Sequence, residues 1–141
     1  MPSFHWSQAF VTSVPEIDAE HRTLFRLAEN LRRGLIAGVA GTSLDSMASE
    51  LTSHTVSHFA HEERSMRAAA YPHYDWHKRQ HAVARATAKR LERRIRSGDS
   101  DGALDLLEYF SGWLKNHIRL SDRMLGGYLR NYERERTARA S

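Results

Sequence analysis

Apolar residues recur along most of the chain at intervals of three and four, the period of a helix with one buried stripe, and no segment alternates as a strand would. The spacing predicts a first helix over about 17–37, with Ile17, His21, Leu24, Ala28, Leu31 and Leu35 on its stripe. A second, over about 44–68, carries Leu44, Met47, Leu51, His58, Glu62 and Met66, with Thr42 or Ser43 as its N-cap after Gly41. A third begins near Asp75, follows His77, His81, Ala84, Ala88, Leu91 and Ile95, and stops near Gly98. The fourth starts at Asp101 or Gly102 and follows Leu104, Leu107, Phe110, Leu114 and His117, and a short final helix is expected over about 123–132. Residues 1–15, with Phe4, Trp6, Phe10 and Pro15, read as an ordered loop covering one end. Four amphipathic helices with short connections favour an all-α, up-down-up-down four-helix bundle. A length of 141 residues suits a single domain, here 1–141, with 1–15 as its N-terminal loop and 130–141 as a basic tail.

Seven positions interrupt these stripes with polar groups: His21, His58, Glu62, His77, His81, His117 and Asp122. In an antiparallel helix pair, residues equidistant from the turn lie at one height. His21 and His58 are equidistant from the junction of Val39 and Ala40. His58 and His81, like Glu62 and His77, are equidistant from Ala69 and Ala70, and His81 and His117 from Asp99. Three turn centres thus define one layer. The pairs His58/Glu62 and His77/His81 are four apart, about 40° around a helix, so each pair can serve one ion or two adjacent ones.

Buried imidazoles and carboxylates are costly unless paired or metal-bound, and seven at one height exceed what core packing explains. They are too many for one ordinary ion and suit two. Zinc usually takes four ligands and favours cysteine in structural sites, and the stretch from His61 to Ser65 lacks the second histidine of a zinc-protease helix. Calcium and magnesium prefer oxygen. Imidazoles with two potentially bridging carboxylates suit a pair of iron ions. His117 and Asp122 stand about 140° apart on a regular helix, so their joint use requires a π-bulge or a helix end near Leu120 to Asp122. The other histidines, His5, His54, His61 and His73, are expected to be solvated or hydrogen-bonded.

Composition narrows the field. Hydrophobic residues at 40% and charged residues at 27% suit a soluble globular protein. No run is long enough for a membrane span, and no secretory signal is visible, so the cytoplasm is the expected location. With no cysteine, thiolate sites, disulfides and cysteine nucleophiles are excluded. The formal charge of +4 resides mostly in Arg85 to Arg96 and in the tail. Without base-reading partners or interleaved aromatics it reads as a solvated face, and no nucleic-acid partner is expected.

These residues resemble a hemerythrin, specifically the single-domain bacterial kind. The matching text is Ile17-Asp18-Ala19-Glu20-His21 with Leu24-Phe25, then His58-Phe59-Ala60-His61-Glu62-Glu63 with Met66. It continues in Tyr71-Pro72, His77 to His81, and Trp113-Leu114-Lys115-Asn116-His117-Ile118 leading to Asp122. The resemblance runs from Phe4 to about Leu129. It implies an oxo- or hydroxo-bridged di-iron centre with Glu62 and Asp122 as bridges. His77, His81 and His117 would complete one iron, and His21 and His58 would hold the other with one position open. Dioxygen would bind there reversibly as hydroperoxide. Trp113, Leu114 and Ile118 would form an apolar wall, a role compatible with ordinary core packing.

The expected function is therefore non-enzymatic oxygen storage, delivery or sensing, with dioxygen as partner, an oxygen-recipient protein conceivable, and a monomer favoured. A di-iron oxidase or peroxidase, a nitric-oxide-handling enzyme and a redox signalling module are the alternatives.

Overall fold

The computed structural model describes residues 6–140. They form five α-helices: α1 (Pro15–Ala37), α2 (Gly41–Ala68), α3 (Tyr74–Arg96), α4 (Ser100–His117) and α5 (Arg123–Ala140). A 3-10 turn (Gln8–Phe10) precedes α1, and a π-helical turn (Ile118–Asp122) joins α4 to α5. The helices α1 to α4 run up and down, α1 on α2, α2 on α3, α3 on α4 and α4 back on α1. The all-α four-helix bundle expected from the spacing is the fold.

All three inter-helix turns use one device. Gly38, Ala70 and Gly98 adopt left-handed backbone, with φ of 68°, 51° and 79°. Around each, the next amide reaches back five residues: Val39 N to Gly34 O at 3.1 Å, Tyr71 N to Met66 O at 2.9 Å and Asp99 N to Arg94 O at 3.0 Å. These are Schellman turns, which satisfy the last carbonyls of a helix and reverse the chain. Glycine suits two of them. The third places an alanine where a Cβ is unfavourable, and Tyr128 secures it by donating its hydroxyl to the Ala69 carbonyl at 2.6 Å.

Several helix ends differ from the sequence expectation. α1 begins at Pro15, a proline at its first position, and α2 begins at Gly41 with Ala40 before it, so Thr42 and Ser43 lie inside the first turn. α3 begins at Tyr74 with His73 before it, leaving Asp75 inside the helix, where its charge complements the N-terminal dipole. α4 is capped by Asp99, whose carboxylate accepts from the Gly102 amide at 2.9 Å. The final helix is not short: α5 continues through the basic tail to Ala140, because no proline or strongly helix-breaking run stops it.

The described part of the N-terminal segment, from residue 6, packs against α1 and α5. Trp6 and Phe10 pack tilted against each other, and both meet Phe25 edge to face. Farther on, the Thr12 amide and hydroxyl both donate to Asp18 Oδ1, at 2.9 and 2.8 Å. Gly126 in α5 abuts the Thr12 carbonyl, leaving no space for a Cβ. Phe4 and His5 lie outside the described residues.

The interior has two apolar clusters. The large one includes Phe25, Leu31, Leu51, Phe59, Leu91, Leu107, Phe110, Leu114 and Ile118. The small one is Met66, Tyr71 and Leu125. Along α2 the order is Phe59, Glu62, Met66, and across the π-turn it is Ile118, Asp122, Leu125, so a polar layer separates the two.

Candidate metal centre

That layer contains all seven expected residues and they converge. His21, Glu62, His77 and His81 are completely buried, Asp122 is 1% exposed, His58 2% and His117 4%. Their donor atoms form two groups, each with its atoms within 4.8 Å of one another: Glu62, His77, His81, His117 and Asp122 in one, and His21, His58, Glu62 and Asp122 in the other.

The carboxylates divide their oxygens between the groups. Glu62 Oε1 lies 2.9 Å from His81 Nε2 and 3.4 Å from His77 Nε2. Its Oε2 lies 3.2 Å from His58 Nε2 and 3.6 Å from His21 Nε2. Asp122 Oδ1 sits 3.0 Å from both His77 Nε2 and His117 Nε2, whereas Oδ2 is 2.9 Å from His21 Nε2. Every imidazole therefore points Nε2 inward, and each carboxylate spans two centres.

The π-turn makes the last of these contacts possible. Its extra residue per turn brings Asp122 back beneath His117, as the spacing required. The continuation into α5 then keeps Leu125 and Gly126 inside.

The donor set fits metal ions on an observation independent of the counting. Both Glu62 oxygens, both Asp122 oxygens and the Nε2 atoms of His77, His81 and His117 are buried without an aligned hydrogen bond. Buried polar atoms are almost always satisfied. Here seven orphaned atoms lie close together yet misaligned for mutual hydrogen bonding, as donors around common third points would be. In the metal-free protein, burial and the neighbouring Glu62 push the Asp122 carboxyl up, but His117 and His21 outweigh them and hold it well below the usual carboxylate range. Glu62 is lowered in the same way, its burial outweighed by His58, His21 and His77.

Behind the inward nitrogens stands a row of partners that the sequence reading did not single out. Glu20 Oε1 accepts from His58 Nδ1 at 2.7 Å, Glu63 Oε2 from His81 Nδ1 at 2.8 Å, and Gln80 Oε1 from His117 Nδ1 at 2.7 Å. Each bond requires the proton on Nδ1 and so leaves Nε2 free as a ligand. The partners are themselves held: Arg85 donates to Glu63 Oε2 at 2.6 Å and Ser121 to Gln80 Oε1 at 2.7 Å. A signal for two of them was present. Reflection through the turn centres puts Glu20 opposite Phe59, next to His58, and Gln80 opposite Ile118, next to His117.

Aromatic and aliphatic groups wall the layer. Phe59 stacks on the His81 ring at 4.0 Å and Trp113 on the His117 ring at 4.6 Å, while Leu114 and Ile118 are fully buried. Of the histidines outside the layer, His54 and His73 are exposed and His61 donates to Glu20 at 2.8 Å.

Residues 12–129 match the Hemerythrin HHE cation binding domain family. The chain belongs to the hemerythrin family. It is 33% identical over 122 residues to a bacteriohemerythrin of Stenotrophomonas maltophilia (strain R551-3), covering 83% of this chain and 75% of that protein. A hemerythrin of Siphonosoma cumanense is 29% identical over 84% of this chain and 88% of its own length. The crystal structure of a wild-type hemerythrin superposes with a TM-score of 0.80 at 25% identity, covering 89% of this chain and 96% of the other. Hemerythrins are di-iron, oxygen-binding proteins, and this hemerythrin carries the histidine and carboxylate cluster suited to that centre.

Proposed function

We propose that His21, His58, Glu62, His77, His81, His117 and Asp122 hold the two irons and that this chain stores, delivers or senses dioxygen without turning it over. The observation that carries the reading is the division of each carboxylate's oxygens between the two donor groups, the geometry of a bridge. When bound, the iron pair supplies the electrons for reversible dioxygen binding.

The chain's own residues set where and how. The group built on His77, His81 and His117 offers five donors, and the group built on His21 and His58 offers four, so the second has room for an exogenous molecule. Trp113, Leu114 and Ile118 form the proposed pocket, together with Phe59 behind them. They exclude water and its protons, which would otherwise help a reduced oxygen species leave. Glu20, Glu63 and Gln80 orient three of the five imidazoles and raise their basicity as ligands. One domain spanning 1–141, acting as a cytoplasmic monomer that hands oxygen to a recipient protein, completes the proposal. Dioxygen is the partner, and no helix among the described residues is long and apolar enough to cross a membrane.

The test is metal analysis followed by oxygen cycling of an anaerobic ferrous sample. Two irons per chain and a visible absorption that appears with oxygen and disappears on its removal are expected. Oxidation that cannot be reversed by deoxygenation would refute carriage, and turnover of peroxide or nitric oxide abolished by His117→Ala would favour an enzyme.

A further inference from the structure

A buried layer must be filled from outside, and the helices close over it. Between α1 and α2 a groove of about 250 Å³ descends to it, lined by Ala19, Glu20, Thr23, His54, Ser57 and His58. The stripe His54, Ser57, His58 and His61 follows the i, i+3, i+4, i+7 rule, so one face of α2 presents three imidazoles towards α1. They grade inward: His54 is exposed, the His61 side chain is 32% exposed and the His58 side chain 2%. Glu20, 36% exposed, joins the last two, with Oε1 2.7 Å from His58 Nδ1 and Oε2 2.8 Å from His61 Nδ1. Donors thus lead from the half-exposed His61 through Glu20 to His58, with His54 on the wall of the groove. No lysine or arginine lines the groove, in a chain of net charge +4.

We infer that this groove is the route by which divalent iron enters the protein. His54, His61 and Glu20 capture the hydrated ion, whose waters leave as imidazole and carboxylate replace them, a donor set suited to a borderline divalent metal. With its Nδ1 proton held by Glu20, His61 keeps Nε2 for the ion. His58 and then His21 are the first ligands of the centre that it meets. Only metal–ligand bonds change, and no electron moves. The inference rests on the assignment of the seven residues as iron ligands, and it adds what none of those seven can supply, a path.

The experiment uses the metal-free, full-length chain mixed anaerobically with ferrous iron and quenched at intervals into a chromophoric ferrous chelator that traps unbound iron. The double variant His54→Ala/His61→Ala should load at least five-fold more slowly than wild type, with the same two-iron end point and the same far-ultraviolet circular dichroism. Ser57→Arg, at an exposed position lining the groove, adds a cation to it and should also slow loading, an effect that shrinks at high salt. Ser57→Glu should accelerate it. Wild-type rates in the double variant and in Ser57→Arg would overturn the route. So would rates that in every variant equal the amide-exchange opening rate of α1 and α2, because the ion would then enter through an opened bundle. If the double variant loses helicity, the two Ser57 variants decide. Failure of the wild-type chain to hold two irons at equilibrium would instead strike at the ligand assignment.

Discussion

His117 Nε2 lies 3.0 Å from Asp122 Oδ1, although five residues separate them and a regular helix would point them about 140° apart. The π-turn over Ile118–Asp122 closes that angle. Deleting Leu120, which is 67% exposed, would leave His117 and Asp122 four apart, about 40° around a regular helix, so Asp122 should stay on the layer once the turn takes α geometry. The variant is expected to remain helical and to keep two irons per chain, measured by metal analysis beside circular dichroism. Loss of iron would show that the π-turn itself, and not only the angle it closes, positions Asp122.

The partners behind the imidazoles should tune affinity without setting stoichiometry. Gln80→Leu removes the acceptor of the His117 Nδ1 proton, and Glu63→Ala removes that of His81. Loss of such outer partners typically weakens metal binding about 10–100-fold. Competition against a chelator of known affinity measures it, and an unchanged affinity in both variants would remove the orienting role.

Protonation of these residues in metal-free preparations gives a pH signature. Burial opposes charge on His58, but Glu62 and Glu20 overcome it and raise the pKa to about 10. His77 is raised to about 9 by Asp122 and Glu62 against the same burial. A group whose pKa is higher folded than unfolded stabilises fully below its unfolded value, about 6.5 for histidine, and that contribution is lost as pH rises through the folded value. The Tm of the metal-free protein should therefore decline between about pH 7 and pH 10. Glu62 and Asp122, held low, act in the opposite sense: their contribution is present above the ordinary carboxylate range and disappears as acid protonates them. Iron displaces protons from the imidazoles, so apparent affinity should rise over the range in which the metal-free Tm falls. A metal-free Tm that climbs from pH 7 to pH 10 would contradict this account.

Two backbone positions make opposite predictions for stability. Gly126→Ala would drive a Cβ into the Thr12 carbonyl, a backbone group, and should cost about 1–3 kcal/mol in denaturant unfolding. Ala70→Gly relieves an alanine at φ 51° and should stabilise by up to about 1 kcal/mol. A neutral Gly126→Ala would mean that the N-terminal segment is not seated as described.

The layer was legible because it obeys symmetry. Helix pairing turns sequence distance from a turn into height, and His21, His58, His81 and His117 satisfy three such reflections at once. A departure from regular α geometry between His117 and Asp122 was legible too, as a π-bulge or a helix end, and the π-turn is the one adopted. Helix starts were less so. Ala40 precedes α2 without any side-chain cap, and a Thr42–Ser43 pair inside the first turn looks like a cap from sequence alone. The reach of α5 was hidden because Glu133 and Arg136 read equally as a solvated tail or as an i,i+3 pair on an exposed helix. Glu20 and Glu63 were passed over because each adjoins a ligand in sequence and so sits off the inward stripe. Their value depends on which imidazole the neighbouring helix brings to them.

Because Glu62 and Asp122 belong to both donor groups, neither of the two proposed ions would have a private home. The first to arrive fixes two carboxylates that the second requires, and removal of either anion dismantles both halves together. Half-filled molecules should accordingly be scarce at equilibrium, and a titration with limiting iron should yield a mixture of empty and doubly occupied chains.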